Sequence, residues 1–356
     1  MNILDRFNKF VSEVTKEDKV ALFFDPDPDG ITAGVLLHRA LERYRGKGVD
    51  LVMFQDHGDL NISEENIAKL KSENVDKVFM VDLAVDQHPE QIEKISDFAK
   101  VCVIDHHKIY YDMNSENIVH LKPQMLGDES PVSYVTSKLV YDLFSEFVDL
   151  EDLDWLAAIG IVGDAAWRRW RSFVDEVSLN NGLDKDKVLE SKIGHAMRTI
   201  ASAPQFGFDI IDECFDVVSK ANTLDDIERS SLTKYKKVIS EEIYKFMKDF
   251  KVNAEYHKDL VFYQFKSKYG IGSTLSTRVS FKDPHKTFIV IQDAGEEFYR
   301  LSLRRQDMEV KVNDLVSNAL KGLEGTGGGH VPAAGGNVKK EQLEQFKKNV
   351  IELLGL

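Results

Sequence analysis

The chain has 356 residues, 43% hydrophobic and 30% charged, which describes a folded globular protein and excludes a disordered or fibrous one. Its 60 Asp+Glu against 46 Lys+Arg give a formal net charge of −14, which argues against a broad, sequence-blind coat on nucleic acid. The length accommodates two domains with separate cores, and the absence of any apolar run of about 18 residues excludes a membrane-spanning helix.

In chain order, the opening MNILDRFNKFVSEVTKEDKV reads as an amphipathic helix and lacks the basic-then-apolar order of a signal peptide. Short, β-branched-rich runs at 19–24 (KVALFF), 49–54, 77–85 (KVFMVDLAV) and 100–105 (KVCVID) predict buried strands. Helical patterns at 31–46 and 61–74 lie between them, and further helices are expected at 130–147 and 153–170. Such alternation predicts a parallel sheet with helices on both faces. Helices continue through 185–250, ending in a long charged one over 222–250. Strands return at 260–265, 286–292 and 298–304, followed by a helix near 312–322, the glycine-rich GTGGGHVPAAGG (325–336) and a closing helix. The expected fold class is α/β, with a first, parallel-sheet domain over 1–205, a helical connector over 206–255 and a smaller α/β domain over 256–356. Residues 251–356 hold 16 Lys+Arg against 13 Asp+Glu, so the acidic excess lies entirely in the first part. The two cysteines, Cys102 and Cys214, have no metal-ligand spacing, and Cys102 sits inside an apolar strand; a reducing cytoplasm is expected.

Ligands of open α/β sheets gather at the carboxyl ends of the strands. FFDPDPDG places Asp25, Asp27 and Asp29 behind the first strand, Asp82 falls at the end of the third, and IDHH puts Asp105, His106 and His107 behind the fourth. Asp164 lies in GIVGDAAW, late in a helical run. Two carboxylates about 5 Å apart repel by roughly 3 kcal/mol at an effective dielectric near 20, so this collection calls for cations. Carboxylate oxygens with one or two imidazoles suit Mn²⁺, with Mg²⁺, Co²⁺ or Zn²⁺ as substitutes, and an aspartate bridging two ions makes a two-metal hydrolase site. Taken singly, DPDPDG could be a solvated turn and Asp82 a helix cap. Their order and strand-end placement favour the metal reading.

DPDPDG, VDLA, IDHH and GDAA resemble the four motifs of the DHH phosphoesterase superfamily, and GTGGGH resembles the glycine-rich motif of the C-terminal domain in its RecJ-like and nanoRNase-like branch. The resemblance implies that Asp27 and Asp29 each hold one Mn²⁺, that Asp82 bridges the two, and that His106 and Asp164 complete the coordination of the second ion. It implies that His107 contacts the scissile phosphate and that Asp105 supports the histidines. Many relatives carry a histidine where Phe23 stands here; Asp25 either ligates the first metal or supports it. In the C-terminal domain the resemblance implies substrate contacts from Gly328, Gly329 and His330, and from Arg304 and Arg278, with Ser302 alternating with Arg304 on one strand face.

The implied activity is Mn²⁺-dependent hydrolysis of single-stranded RNA or DNA, or of short oligonucleotides, to nucleoside monophosphates. A small-nucleotide hydrolase (a pAp phosphatase or cyclic-dinucleotide phosphodiesterase) and a non-catalytic replication scaffold are the alternatives. A homodimer and a replication or repair partner both stay open. AWRRWRSF (166–173) has two readings: arginines and aromatics for single-stranded bases, or Trp167 and Trp170 packed into the core from one helix.

Overall fold

A computed structural model describes residues 2–55, 62–295 and 297–356. The chain divides into two compact units, Met1–Pro204 with Phe208–Lys234, and Gln205–Gly207 with Tyr235–Leu356. The first unit contains α1 (Ile3–Ser12), β1 (Val20–Phe24), α2 (Pro28–Arg45), β2 (Leu51–Phe54), α3 (Glu64–Ser72), β3 (Lys77–Val81), α4 (Pro89–Ser96), β4 (Lys100–Ile104) and β5 (Ile118–Leu121). It continues with α5 (Thr136–Ser145), α6 (Asp154–Gly163), α7 (Arg171–Asn180), α8 (Lys192–Phe206, whose last turn crosses into the second unit), α9 (Ile211–Lys220) and α10 (Leu224–Glu228).

Its five strands are all parallel, in the order β2-β1-β3-β4-β5. A parallel sheet covered on both faces needs strands that are apolar on both sides, and every residue of β1 and of β3 is buried. Ala21 and Phe23 face a core shared with Ile67 and Leu70 of α3 and Ile92 and Ile95 of α4. On the opposite face Phe24 stacks on Phe215 of α9 at 5.3 Å, and Phe79 meets Phe10 of α1 edge-on. β1, β3 and β4 all end at the same edge, and each is followed at once by one of the acidic motifs.

Several boundaries differ from the sequence reading for local reasons. The start of the helix expected from Asn61 lies outside the described residues; the described helix is α3. Pro131 directs 130–135 into a tight turn, so α5 begins only at Thr136. The helix expected over 153–170 stops at Gly163. There Ala165 adopts φ 57°, the Ala166 N–H bonds the Ile161 carbonyl at 2.9 Å and the Ala165 N–H bonds that of Val162 at 3.2 Å. This paired termination normally uses glycine. The long helix expected at 222–250 is two helices, α10 and α11 (Thr233–Asn253).

The second unit takes in α11 after its first turn, β6 (Glu255–His257), β7 (Leu260–Lys266), α12 (Gly272–Ser280), β8 (Thr287–Asp293), β9 (Phe298–Arg304), α13 (Val312–Ala319), β10 (Gly325–His330), β11 (Ala333–Lys339) and α14 (Leu343–Leu354). Its sheet runs β10-β11-β9-β8-β7-β6, and within it β7 and β8 are parallel while the other neighbours are antiparallel. Val316 of α13 and Phe346 of α14 cover one face; Phe246 of α11 and Leu275 of α12 cover the other. The glycine-rich motif is thus an edge strand, β10. A Cβ on Gly327 would lie 2.7 Å from Val316 Cγ2, so the bare backbone is what allows α13 to rest against it. No described helix is long and apolar enough to cross a membrane.

Candidate metal centre

The DPDPDG segment turns β1 into α2. Asp25 Oδ1 accepts the Asp27 N–H at 3.0 Å, and Asp27 caps α2 by accepting the Gly30 N–H at 2.9 Å. Gly30 is obligatory here, because a Cβ would overlap the Asp25 carbonyl. Asp29, one residue into α2, is fully buried and takes the first two amides of α5: Thr136 N–H at 2.7 Å and Ser137 N–H at 3.0 Å. These are N-terminal helix donors with no partner inside their own helix, a natural seat for an anion.

Asp82 leaves β3 with φ 63°, a left-handed conformation that aspartate tolerates better than most residues. Its Oδ1 accepts the Thr136 hydroxyl at 2.9 Å and lies 3.4 Å from His106 Nε2. His106 is buried and donates from Nδ1 to the Val132 carbonyl at 2.8 Å, so Nε2 is the nitrogen left to bind a cation. That nitrogen is 3.3 Å from Asp164 Oδ2. Asp164 ends α6, where a carboxylate opposes the helix dipole. His107 Nδ1 donates to Asp105 Oδ1 at 2.6 Å; its side chain is 33% exposed while Asp105 is fully buried, so the imidazole can be reached by substrate.

Among the described residues, two groups of donor atoms fall within 4.8 Å of one another: Asp82, His106 and His107, and Asp29, His106 and Asp164. His106 belongs to both. Asp25 and Asp27 lie beside these groups without belonging to either, each giving one oxygen to a backbone amide.

Electrostatics make the site receptive to a cation. Burial, reinforced by Asp29 and Asp27, raises the Asp82 carboxyl well above its ordinary range. Burial and Asp27 do the same to Asp25. Burial also raises Asp29, and lifts Asp164 to about 8 against the pull of His106. Burial alone would lower His106, yet Asp164, Asp29 and Asp105 together raise it. Carboxylates that hold protons this tightly are poised to exchange them for metal ions. The donor set of carboxylate oxygens with imidazole fits Mn²⁺ or Mg²⁺.

Asp105 is the exception. Burial works against its ionisation, but His107 and Lys122 hold it well below the ordinary range. The sequence reading missed Lys122, which is wholly buried with Nζ 2.9 Å from both Asp105 Oδ2 and Asp86 Oδ1. It also missed Thr136, which joins Asp29 and Asp82. A lysine closing the apolar strand β5 was the available signal for the first; an ordinary threonine gave none for the second.

The AWRRWRSF segment is not one helix: 166–170 is a turn before α7. Arg169 pairs with Asp128, Arg171 with Asp175 and Asp186, and the Trp170 indole donates to the Ser133 carbonyl at 2.7 Å. The Arg169 and Trp170 bonds fasten the loop whose Val132 carbonyl fixes His106.

In the second unit, register gathers Ser302, Arg304, Gly328 and His330 on one face of the sheet. His330 pairs with Ala333, which pairs with Arg304, and Gly328 pairs with Gly335, which pairs with Ser302. Side chains on one rung point to the same side, so His330, Arg304 and Ser302 border a floor of glycine. A Cβ on Gly328 would meet nothing within 4 Å, so that floor is open. Gly329, at φ 131°, brings its backbone close to Ala333 and Ala334. Arg304 donates to the Ser273 hydroxyl at 2.8 Å and the Thr277 hydroxyl at 3.2 Å, and burial lowers its pKa to about 10. Arg278 follows Thr277 in the last turn of α12 and is exposed.

Comparison with known proteins finds the DHH family N-terminal domain over residues 19–161 and the DHHA1 domain over residues 259–356. The chain belongs to the DHH phosphoesterase superfamily. An uncharacterized protein of Methanocaldococcus jannaschii is 32% identical over 143 residues, a stretch covering 39% of this chain and 31% of that one; the match spans about a third of that relative's length. RecJ of Thermus thermophilus, solved in complex with Mn²⁺, superposes with a TM-score of 0.75 at 17% identity over 98% of this chain and 54% of that one. A pGpG-specific phosphodiesterase of Vibrio cholerae, PggH, gives a TM-score of 0.54 at 15% identity over 95% of this chain and 99% of that one. These two likenesses establish a RecJ-like fold for this DHH chain.

Proposed function

We propose that this DHH protein is a Mn²⁺-dependent phosphodiesterase that releases nucleoside monophosphates from single-stranded nucleic acid or short oligonucleotides. The observation that carries the reading is the meeting of buried Asp29 and Asp82 and solvent-facing Asp164 around buried His106, whose Nδ1–H is committed to the Val132 carbonyl and leaves Nε2 for metal. Asp25, Asp27, Asp29, Asp82, His106 and Asp164 would hold two ions, with Mg²⁺ or Co²⁺ as substitutes. Divalent cations there supply Lewis acidity and acidify water near neutral pH.

The protein's own groups do the remaining work. Asp105, ionised between Lys122 and His107, fixes the imidazole ring so that its other nitrogen faces the substrate. His107 then neutralises charge that develops on the phosphoryl oxygens. The α5 amides and Thr136 keep Asp29 and Asp82 in place. In the second unit, Arg304, Arg278, Ser302 and His330 grip a phosphate or sugar over the Gly328–Gly329 backbone.

The net charge of −14 favours short substrates over long tracts, which need many phosphate contacts. The resemblance in fold to PggH keeps small dinucleotides as the second reading. The protein should be incubated with Mn²⁺ and end-labelled RNA and DNA ladders, pAp and cyclic dinucleotides. Mononucleotide release that stops with EDTA or in Asp82→Ala is the expected result. His330→Ala should raise KM while sparing metal binding. Absence of product from every substrate overturns the reading in favour of a non-catalytic scaffold.

A further inference from the structure

The loop that follows His107 carries two adjacent tyrosines, Tyr110 and Tyr111, exposed at 54% and 53%. The segment has no regular secondary structure, yet its backbone is pinned from below. Asp86 Oδ2 accepts the Tyr110 N–H at 2.7 Å and the Tyr111 N–H at 3.4 Å. Lys122 Nζ donates to the Lys108 carbonyl at 2.9 Å while pairing with Asp86 and Asp105. Asp105 in turn holds His107. One buried ion network therefore sets both the imidazole and the tyrosine loop, and fixes each relative to the other.

A rigid loop that leaves two aromatic rings in water forgoes their burial, which in a core is a large stabilising contribution. The anchoring shows that the exposure is built in rather than a result of loose chain. Lys108 Nζ lies 5.5 Å from the centre of the Tyr110 ring, adding a cation beside the aromatic surface. Three residues of chain span at most about 11 Å, so Tyr110 lies within that reach of His107. Aromatic faces with an adjacent cation are the chemistry that receives an unpaired base and its phosphate.

We propose that Tyr110 and Tyr111 form a base-stacking subsite for a nucleotide whose phosphate lies at His107, with Lys108 contacting the neighbouring phosphate. This rests on the phosphodiesterase reading for its substrate, and it specifies that reading: the ligand is single-stranded and its bases are stacked rather than read by sequence.

The test measures binding and turnover separately. Fluorescence anisotropy in Mn²⁺ compares a phosphorothioate-linked pentanucleotide with an abasic pentamer of the same backbone. Tyr110→Ala/Tyr111→Ala should weaken the base-bearing probe by about fivefold or more and shift the abasic probe by less than about twofold. Tyr110→Phe/Tyr111→Phe, which keeps the rings, should bind like wild type. A thermal melt confirms that the exposed substitutions leave the fold intact. Unchanged affinity in the alanine variant, an equal loss for both probes, or no oligonucleotide binding by wild type would each overturn the subsite; a loss of binding to another protein in place of oligonucleotide would do the same. Hydrolysis is followed in parallel with an unmodified oligomer. Tyrosine-dependent binding without any product supports the subsite while overturning the phosphodiesterase reading.

Discussion

Thr136→Val tests whether the two aspartates are held for metal. Thr136 is fully buried, its amide serves Asp29 at 2.7 Å and its hydroxyl serves Asp82 at 2.9 Å. Valine keeps the shape and the amide and removes only the hydroxyl. A hydrogen bond to a charged group contributes about 1.5–3 kcal/mol, and about 1.4 kcal/mol is a factor of ten in affinity. The expected loss is therefore about 10–100-fold in metal affinity, the range typical of residues that orient metal ligands. Titration calorimetry of Mn²⁺ into EDTA-stripped, dialysed protein reads it directly, with Thr136→Ser as the variant that restores the hydroxyl. A Thr136→Val Kd within about twofold of wild type would refute the argument that this hydroxyl prepares Asp82 for a cation.

Gly160→Ala should cost metal affinity and roughly 1–3 kcal/mol of stability by overpacking, because its Cβ would overlap the Ser137 hydroxyl and the Asp29 carboxylate; calorimetry and urea melts check both. Lys122→Met takes from buried Asp86 and Asp105 the cation they share, and urea melts should show a loss of about 3–5 kcal/mol. For pH, Asp82, Asp25 and Asp164 have folded pKa values above their unfolded ones, so the stability they contribute is fully present below the ordinary carboxylate range and is lost as pH rises through the folded values, about 8 for Asp164. Asp105 has the opposite sign, but its effect falls below 3.8. The metal-free protein should thus lose melting temperature between about pH 4 and pH 8, and saturating Mn²⁺ should flatten that slope; an equal slope with and without metal would contradict the shared site.

The strands that carry the site were legible because a parallel sheet writes its core as continuous apolar runs, and because VALFF, KVFMV and KVCVI each break abruptly into acid. β5 escaped notice because IVHL is four residues long and carries His120 in a buried position. The end of α6 was hidden because Ala165 occupies the left-handed position where glycine would have marked a stop. GTGGGH gave no sign of being a strand, since glycine has no strand preference of its own; pairing with β11 and the approach of α13 determine it. Long-range supports were the least legible. Asp86 and Lys122 are 36 positions apart, and nothing in either local pattern announces the pair.

The amides that seat Asp29 come from a helix 107 positions later in the chain, and Asp164 lies further still. Phe24, at the end of β1, completes its packing only on Phe215. During synthesis, then, the cation site is completed late: an emerging chain that displays DPDPDG and IDHH still lacks Thr136, Ser137 and Asp164. Contacts of such sequence separation form late and slowly. At the proposed centre, ion capture would then follow the closing of the first unit, and metal uptake would mark chains whose first unit has finished folding.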